Sequence, residues 1–152
     1  MLAVEDGYRE SAESWKTVLR ELKCRGMVAP VLAVGDGALG FWAAARDVWP
    51  ETREQGCWCH KLSNVPDKLP QRLHARAQRQ LYEMMYAARR SDCETARGRF
   101  AAEYQAKYPK AVESLAANWE RLVRIFDFPA EYWKQLHTTN CDRICIRHRA
   151  LA

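Results

Sequence analysis

Long hydrophobic runs are missing from this sequence. The longest uncharged apolar stretch, residues 27–35, is far shorter than the roughly 20 residues that a membrane-spanning helix needs. The first residues also lack the basic and apolar segments of a secretory signal, because the acidic side chains of Glu5 and Asp6 follow Met1 closely. The sequence therefore predicts a cytoplasmic protein with no membrane partner.

Several catalytic signatures are absent as well. There is no glycine-rich phosphate loop, no nucleophile elbow and no Ser-His-Asp arrangement. Internal repeats and low-complexity segments are also missing. With 152 residues, of which 48% are hydrophobic and 28% charged, the composition is that of a folded chain of ordinary domain size and excludes a wholly disordered one.

Positive charge is concentrated in the middle of the chain. The formal net charge is +5, but residues 1–36 carry five basic and six acidic side chains, whereas residues 68–100 carry eight basic and three acidic ones. A local basic surface suits a polyanion such as nucleic acid. The candidate DNA-binding residues are then Arg72, Arg76 and Arg79, although a solvated arginine-rich helix face explains the charge equally well.

The six cysteines are expected to be reduced thiols, because the sequence has no secretory signal and the chain is too long to need disulfides for stability. The run of Cys57, Cys59 and His60 has the spacing of half a zinc site. Cys141, Cys145 and His148 would supply the other half. The alternative is a buried thiol, with His60 hydrogen-bonded at the end of a strand.

Residues 1–60 alternate between short apolar runs and helical patterns. One helix is expected to begin at a Ser11 cap and to end at Gly26, and another covers residues 38–48. Three runs have the composition of strands: residues 1–4, 30–34 and 55–59. The order strand-helix-strand-helix-strand predicts an α/β sheet with some parallel strands, covered by helices.

After His60 the strand signals stop and helical periodicity takes over. Pro70 is expected in the first turn of one helix, and Ser91 or Asp92 is expected to cap a second. Pro109 is expected to open a third helix, whose apolar stripe continues to Phe126, and a short helix should follow around residues 132–136. The stripes of these helices predict a helical core.

Asp36 is the candidate metal ligand. It directly follows the second predicted strand, between Gly35 and Gly37. The carboxyl ends of parallel strands face the ligand crevice of an open sheet, and flanking glycines let a phosphate or another backbone approach closely. The local sequence alone favours a simpler role for Asp36, as a turn residue that caps the helix beginning near Ala38.

Several separate blocks of the sequence form a recognisable series. They are Glu5-Asp6-Gly7-Tyr8-Arg9-Glu10-Ser11, Val34-Gly35-Asp36-Gly37-Ala38-Leu39-Gly40-Phe41-Trp42, Cys57-Trp58 with His60-Lys61 and Asn64-Val65, Asp67-Lys68-Leu69-Pro70, Tyr108-Pro109-Lys110-Ala111, and Phe128-Pro129-Ala130-Glu131 through Thr138-Thr139-Asn140. Together and in this order, they resemble the Mutator-type transposases of prokaryotic insertion sequences. The resemblance extends over nearly the whole chain.

The resemblance implies a ribonuclease-H-like catalytic domain with an Asp-Asp-Glu metal triad that uses Mg²⁺ or Mn²⁺. Asp36 matches the second Asp of this triad, so the resemblance favours a metal ligand over a helix cap at this position. Cys57 with His60 matches the family's Cys-x-x-His signature. The implied organisation is a partial catalytic core over residues 1–66 and a helical insertion over residues 67–137. The implied partner is DNA, which such transposases cleave and join, and homo-oligomerisation is left open.

The tail departs from the family pattern. The family's first Asp precedes the segment that corresponds to Met1, and the position of its Glu is occupied by Arg143. We therefore expect residues 138–152 to be a divergent tail read out of frame, and the chain to be an inactive transposase fragment that holds its metal only weakly.

Two other classes of protein remain compatible with the sequence. One is a basic helical module that binds DNA or dimerises without catalysis. The other is a structural domain stabilised by zinc at the cysteine and histidine pairs.

Overall fold

The computed structural model describes residues 11–37 and 39–137. They form a mostly helical chain with a small two-stranded parallel sheet, so the α/β class is confirmed. The chain divides into two compact units between Gln55 and Gly56. No helix in the described part of the chain has the length and hydropathy that a bilayer span requires.

The first unit opens with helix α1, Ala12–Cys24. The side chain of Ser11 accepts a hydrogen bond from the Ser14 backbone N–H at 3.1 Å, which satisfies a free amide of the first turn. At the other end, Gly26 takes a φ of 95°, a left-handed conformation that glycine adopts without steric cost. Both helix signals in the sequence are confirmed.

Strand β1, Leu32–Gly35, helix α2, Leu39–Val48, and strand β2, Arg53–Gly56, follow α1. The last residue of β2 is the first residue of the second unit. The prediction of a strand over residues 55–59 was wrong at its end. Trp58 and Cys59 belong to a helix, because Trp58 and Leu62 recur at helical spacing and are both buried. The strand predicted at residues 1–4 lies outside the described residues.

Helices α1 and α2 pack together through an apolar core. Leu19 of α1 is buried with residues of α2 and the residue after it, namely Ala44, Ala45, Val48 and Trp49. Around this core, Asp47 accepts a 2.9 Å hydrogen bond from Arg20, and Lys23 donates to the Val48 carbonyl at 2.9 Å. The core holds the helices together, and the exposed polar contacts add little.

The described part of the second unit is helical. Its α-helices are α3, Trp58–Asn64; α4, Gln71–Met85; α5, Arg90–Tyr104; α6, Pro109–Ala116; α7, Trp119–Val123; and α8, Trp133–Leu136. Short 3-10 turns occupy Pro66–Lys68, Arg124–Asp127 and Ala130–Tyr132. The switch to helical structure after His60, as predicted from periodicity, is confirmed.

Three predicted helix boundaries in the second unit differ from the structure. Pro70 is the N-cap of α4 and lies just before its first turn. Arg89, without a side-chain cap bond, is the N-cap of α5, so Ser91 and Asp92 lie inside the helix. The expected single helix from Pro109 is divided into α6 and α7, because Asn118 adopts a φ of 60° that an α-helix cannot contain.

The second unit has one apolar core that includes residues of α3, α4, α5, α6 and α7. Trp58, Leu62 and Val65 belong to it, so α3 packs with the helices that follow. The two compact units therefore meet earlier in the chain than the predicted boundary between residues 66 and 67. That boundary, between a catalytic core and a helical insertion, stays a prediction.

Candidate functional site

Asp36 lies immediately after β1 and is exposed. The next residue, Gly37, has a φ of 101°, which a residue with a side chain adopts only with strain. The chain thus turns away from the strand directly after the carboxylate. This is the position at the carboxyl end of a strand that the sequence predicts for a metal ligand.

The residue before Asp36 is fixed by close packing. Gly35 is buried, and a Cβ atom at this position would lie 2.7 Å from Cζ2 of Trp42. The indole of Trp42 is 1% exposed, and its ring contacts Phe41 edge to face. Glycine at position 35 therefore lets α2 approach β1 closely, and the end of the strand that presents Asp36 is held by this contact.

The described residues do not complete a metal site around Asp36. Within residues 11–37 and 39–137, no three His, Cys, Asp or Glu side chains lie together in a geometry that would hold a metal ion. Asp36 itself supplies a hard oxygen ligand of the kind that Mg²⁺ prefers. One carboxylate is too few for tight binding, and Arg143, which the sequence resemblance predicts to occupy the family's Glu position, lies outside the described residues.

The Cys-x-x-His signature forms the beginning of α3 and does not end a strand. Cys57 is the N-cap and is 3% exposed, whereas His60, one turn later, is exposed. The two side chains are therefore in different environments. The second pair of the proposed zinc site, from Cys141 to His148, lies outside the described residues, so the zinc hypothesis stays a prediction.

Four cysteines lie in the described part of the chain, and none of them forms a disulfide there. Cys24 is exposed, Cys59 is half-buried, and Cys57 and Cys93 are buried. Burial raises the pKa of the Cys93 thiol to about 12, which keeps it protonated and unreactive. The expectation of thiols is confirmed at these four positions.

Trp58, inside the signature, anchors α3 in the second unit. Its indole is fully buried, and Nε1 donates a hydrogen bond to the Leu122 carbonyl at 3.1 Å. Its ring meets Trp119 edge to face with the centroids 6.1 Å apart. Arg97 covers the Trp119 ring at 4.6 Å. This role of Trp58 was not predicted from the sequence, although a tryptophan between two cysteines is an unusual local pattern.

His137 connects the signature with the end of the described chain. Its carbonyl accepts a 2.8 Å hydrogen bond from the Trp58 backbone N–H. Its imidazole is 3% exposed and contacts the Tyr86 ring edge to face. Burial lowers the pKa of His137 to about 4, against a smaller opposing effect of a hydrogen bond with the Met85 backbone. The ring is therefore neutral at pH 7.

Lys61, the residue after His60, closes the end of α6. Its ammonium group donates hydrogen bonds to the carbonyls of Ser114 and Ala117. These carbonyls lie at the helix C-terminus, where a cation is favourable. Burial lowers the pKa of Lys61. The role was missed because the two partners are far away in the sequence.

The three predicted DNA-binding arginines lie on α4 but differ in their contacts. Arg76 makes a two-pronged ion pair with Glu103 of α5, at 2.9 and 3.0 Å. The side chains of Arg72 and Arg79 are exposed and have no ion-pair or hydrogen-bond partner among the described residues. Two of the three guanidinium groups are thus available to a phosphate without competition from a carboxylate.

Other arginines of the basic segment are also engaged within the unit. Arg89 pairs with Asp92 at 3.3 Å, and Arg99 pairs with Glu83. Arg90 binds Glu94 and Glu120, at 2.8 and 2.9 Å, and these carboxylates raise its pKa. Much of the positive charge counted in the sequence is therefore neutralised locally.

Comparisons with known proteins identify the family. The sequence model described as "Transposase, Mutator family" matches residues 1–146, so the chain belongs to the Mutator family of transposases. It is similar to two curated relatives in particular, over most of its own length. The resemblance drawn from the sequence blocks is confirmed.

The first relative is "Transposase for insertion sequence element IST2" of Acidithiobacillus ferrooxidans, 45% identical over 153 residues, which cover 98% of this chain and 52% of the relative. The second is "Transposase for insertion sequence element IS6120" of Mycolicibacterium smegmatis, 49% identical over 140 residues, which cover 92% of this chain and 43% of the relative. The chain thus spans about half the length of these relatives.

Proposed function

We propose that this chain supplies part of the catalytic core of an insertion-sequence transposase that cleaves and joins DNA. Membership of the Mutator family over residues 1–146 is the observation that carries the proposal. In this role Asp36 is one of the carboxylates that hold Mg²⁺ or Mn²⁺. Action on chromosomal DNA would place the protein in the cytoplasm.

The position of Asp36 supports its role as a ligand. An exposed carboxylate directly after a strand can reach the crevice at the carboxyl edge of a sheet. The bound metal would supply Lewis-acid activation in phosphoryl transfer. Asp36 contributes one hard oxygen ligand, and further carboxylates have to come from outside the described residues.

The proposed architecture is a ribonuclease-H-like core over residues 1–66 with a helical insertion over residues 67–137. The order β1, α2, β2 with parallel pairing is compatible with part of such a core. The all-helical series from α4 to α8 is compatible with the insertion. Residues 138–152 are the divergent tail in this organisation.

The helical insertion is proposed to contact DNA through the α4 face that carries Arg72, Arg76 and Arg79. The available guanidinium groups of Arg72 and Arg79 support this assignment, because arginine forks bind phosphate well. Arg76 would have to leave Glu103, but an exposed ion pair contributes only about 0–1 kcal/mol. Contacts of this kind position the protein on DNA without reading its sequence.

A chimera tests the catalytic role. Residues 1–140 of this chain would replace the matching segment of the Mycolicibacterium smegmatis relative, and excision of a marked element would be measured in cells. We expect an active chimera whose excision frequency falls at least about 100-fold in Asp36→Asn, because a lost metal ligand removes transition-state stabilisation. Asp47→Asn, an exposed aspartate of the same unit, is the matched control and should remain active.

Two results would contradict the proposal. One is excision that persists in Asp36→Asn, and the other is a folded chimera without activity when Asp36 is intact. By itself, the 152-residue chain is expected to show no Mg²⁺- or Mn²⁺-dependent cleavage, because Arg143 brings a positive charge to the family's Glu position. A chimera extended to residue 152 should be inactive, and Arg143→Glu should restore part of the activity.

A further inference from the structure

Helices α4 and α5 run antiparallel, as the positions of two ion pairs between them show. Arg76, near the beginning of α4, pairs with Glu103 at the end of α5. Glu83, near the end of α4, pairs with Arg99 in the middle of α5. The beginning of α4 and the end of α5 therefore lie at the same end of the helix pair.

Four cationic side chains gather at this end, which we call the end cluster. Arg72 lies in the first turn of α4, and Lys107 follows the last turn of α5. Lys110 lies in the first turn of α6, and Lys68 ends the 3-10 turn that packs against both α4 and α6. Elements far apart in sequence thus bring the four residues to one region.

The four side chains of the end cluster are available for binding. All of them are exposed, and none makes an ion pair or a side-chain hydrogen bond with another residue in the described part of the chain. The nearby exposed acids are Asp67, beside Lys68, and Glu113, one turn after Lys110, whereas Glu103 is already held by Arg76 and Gln80. The cations therefore outnumber the available acids.

The opposite end of the helix pair has a different charge arrangement. Arg89 and Arg90 lie at the beginning of α5, and the side chain of Arg99 reaches Glu83 near the end of α4; all three have carboxylate partners. A polyanion approaching that end meets cations whose charge is already balanced. The potential of the second unit is therefore expected to be most positive at the end cluster, although the arginine count is higher at the opposite end.

We propose that the end cluster is a second surface for the phosphate backbone of duplex DNA, continuous with Arg72 of the α4 face. The inference rests on the proposed function and extends it, because Lys68, Lys107 and Lys110 come from three other segments. Lysines act as mobile point charges and suit contacts to backbone phosphates in many orientations. The surface contributes to affinity and leaves sequence recognition to other residues.

The test is the salt dependence of binding of the full 152-residue chain to a 30-base-pair duplex of arbitrary sequence. Lys68→Gln, Lys107→Gln and Lys110→Gln are combined in one variant. Because each phosphate contact contributes a slope of about −0.9 to the log–log plot, the slope should become less steep by up to about 2.7. Affinity for unrelated sequences should fall by the same factor.

The matched control combines Arg89→Gln, Arg90→Gln and Arg99→Gln, which removes the same formal charge from the opposite end. Its slope should stay within experimental error of the wild type, because these arginines are already paired. Circular dichroism melting of all proteins checks that they fold. A second variant, Arg76→Gln with Arg79→Gln, examines the α4 face alone without touching the end cluster.

The outcomes separate this inference from the proposed function. An unchanged slope in the lysine variant, with a flatter slope in the Arg76 and Arg79 variant, would overturn the end cluster and leave the DNA role of α4 intact. Equal flattening in the lysine variant and in the control would also overturn it, since net charge alone would then explain binding. A wild-type chain that binds no DNA at low salt would overturn both proposals for the helical unit.

Discussion

The backbone nitrogen of Trp58 lies 2.8 Å from the carbonyl oxygen of His137 and donates a hydrogen bond to it. This contact joins the Cys-x-x-His turn to the residue that directly precedes Thr138. The hydrogen bond therefore holds the last described residue against the first turn of α3.

Lowering the pH should destabilise the second unit, because the buried His137 becomes protonated when the unit unfolds. The folded chain holds the pKa of His137 at about 4, below the ordinary value of about 6.5. Between these values the unfolded chain binds a proton that the folded chain excludes, so the free energy of unfolding falls as the pH falls. From pH 7 to pH 4.5 the loss should be about 2–3 kcal/mol.

Urea titrations followed by tryptophan fluorescence at both pH values measure this loss. His137→Gln cannot titrate and should lose most of this pH dependence. His60→Gln, which removes an exposed imidazole of α3, is the matched control and should retain it. A pH dependence that is unchanged in His137→Gln would show that other groups cause the acid sensitivity.

Replacing Trp58 should be costly because its indole has both a packing role and a donor role. Trp58→Phe leaves the Leu122 carbonyl without its indole partner and opens space beside Trp119. We expect a loss of about 2–4 kcal/mol in unfolding free energy. Trp133→Phe removes a similar hydrogen bond, to the Phe128 carbonyl, from a half-buried indole, and should cost about half as much. Equal midpoints of urea unfolding for the two variants would contradict this ranking.

Two glycine-to-alanine substitutions should change the stability of the chain in opposite directions. Gly35→Ala places a methyl group 2.7 Å from the buried Trp42 ring and should destabilise the first unit by about 1–3 kcal/mol. Gly98→Ala, inside α5, meets nothing within 4 Å and should stabilise the chain by about 0.5–1 kcal/mol. Thermal melting followed by circular dichroism measures both. A neutral Gly35→Ala would mean that α2 can move away from β1 without cost.

The α4 arginines should contribute unequally to DNA binding. Arg72→Gln with Arg79→Gln should flatten the log–log salt slope by about 1.8, since each contact contributes about 0.9. Arg76→Gln should have a smaller effect, because its guanidinium is shared with Glu103. Fluorescence anisotropy at four salt concentrations measures the slopes. If Arg76→Gln flattened the slope by as much as about 0.9, the value of one full phosphate contact, the ion pair with Glu103 would not persist in the complex.

Local signals in the sequence predicted the helices well, and tertiary contacts explain where those predictions failed. Ser11 and Gly26 mark the ends of α1 because capping and left-handed backbone act within one turn. No local signal marked the left-handed turn at Asn118, and the pairing of Arg76 with Glu103 joins residues of two different helices that are 27 positions apart. The position of Asp36 after a strand could be predicted, whereas the residues that would complete a metal site with it could not.

The cap that Lys61 provides for α6 has a consequence for the order of folding. The carbonyls of Ser114 and Ala117 lie 53 and 56 positions after Lys61 in the chain, so this side-chain cap depends on a contact between distant parts of the sequence. The segment between α3 and α6, which contains α4 and α5, has to bring its two ends together before this cap can form. Closing such a long segment costs conformational entropy. The last turn of α6 should therefore become more strongly protected from hydrogen exchange once α3 has docked and its lysine cap has formed.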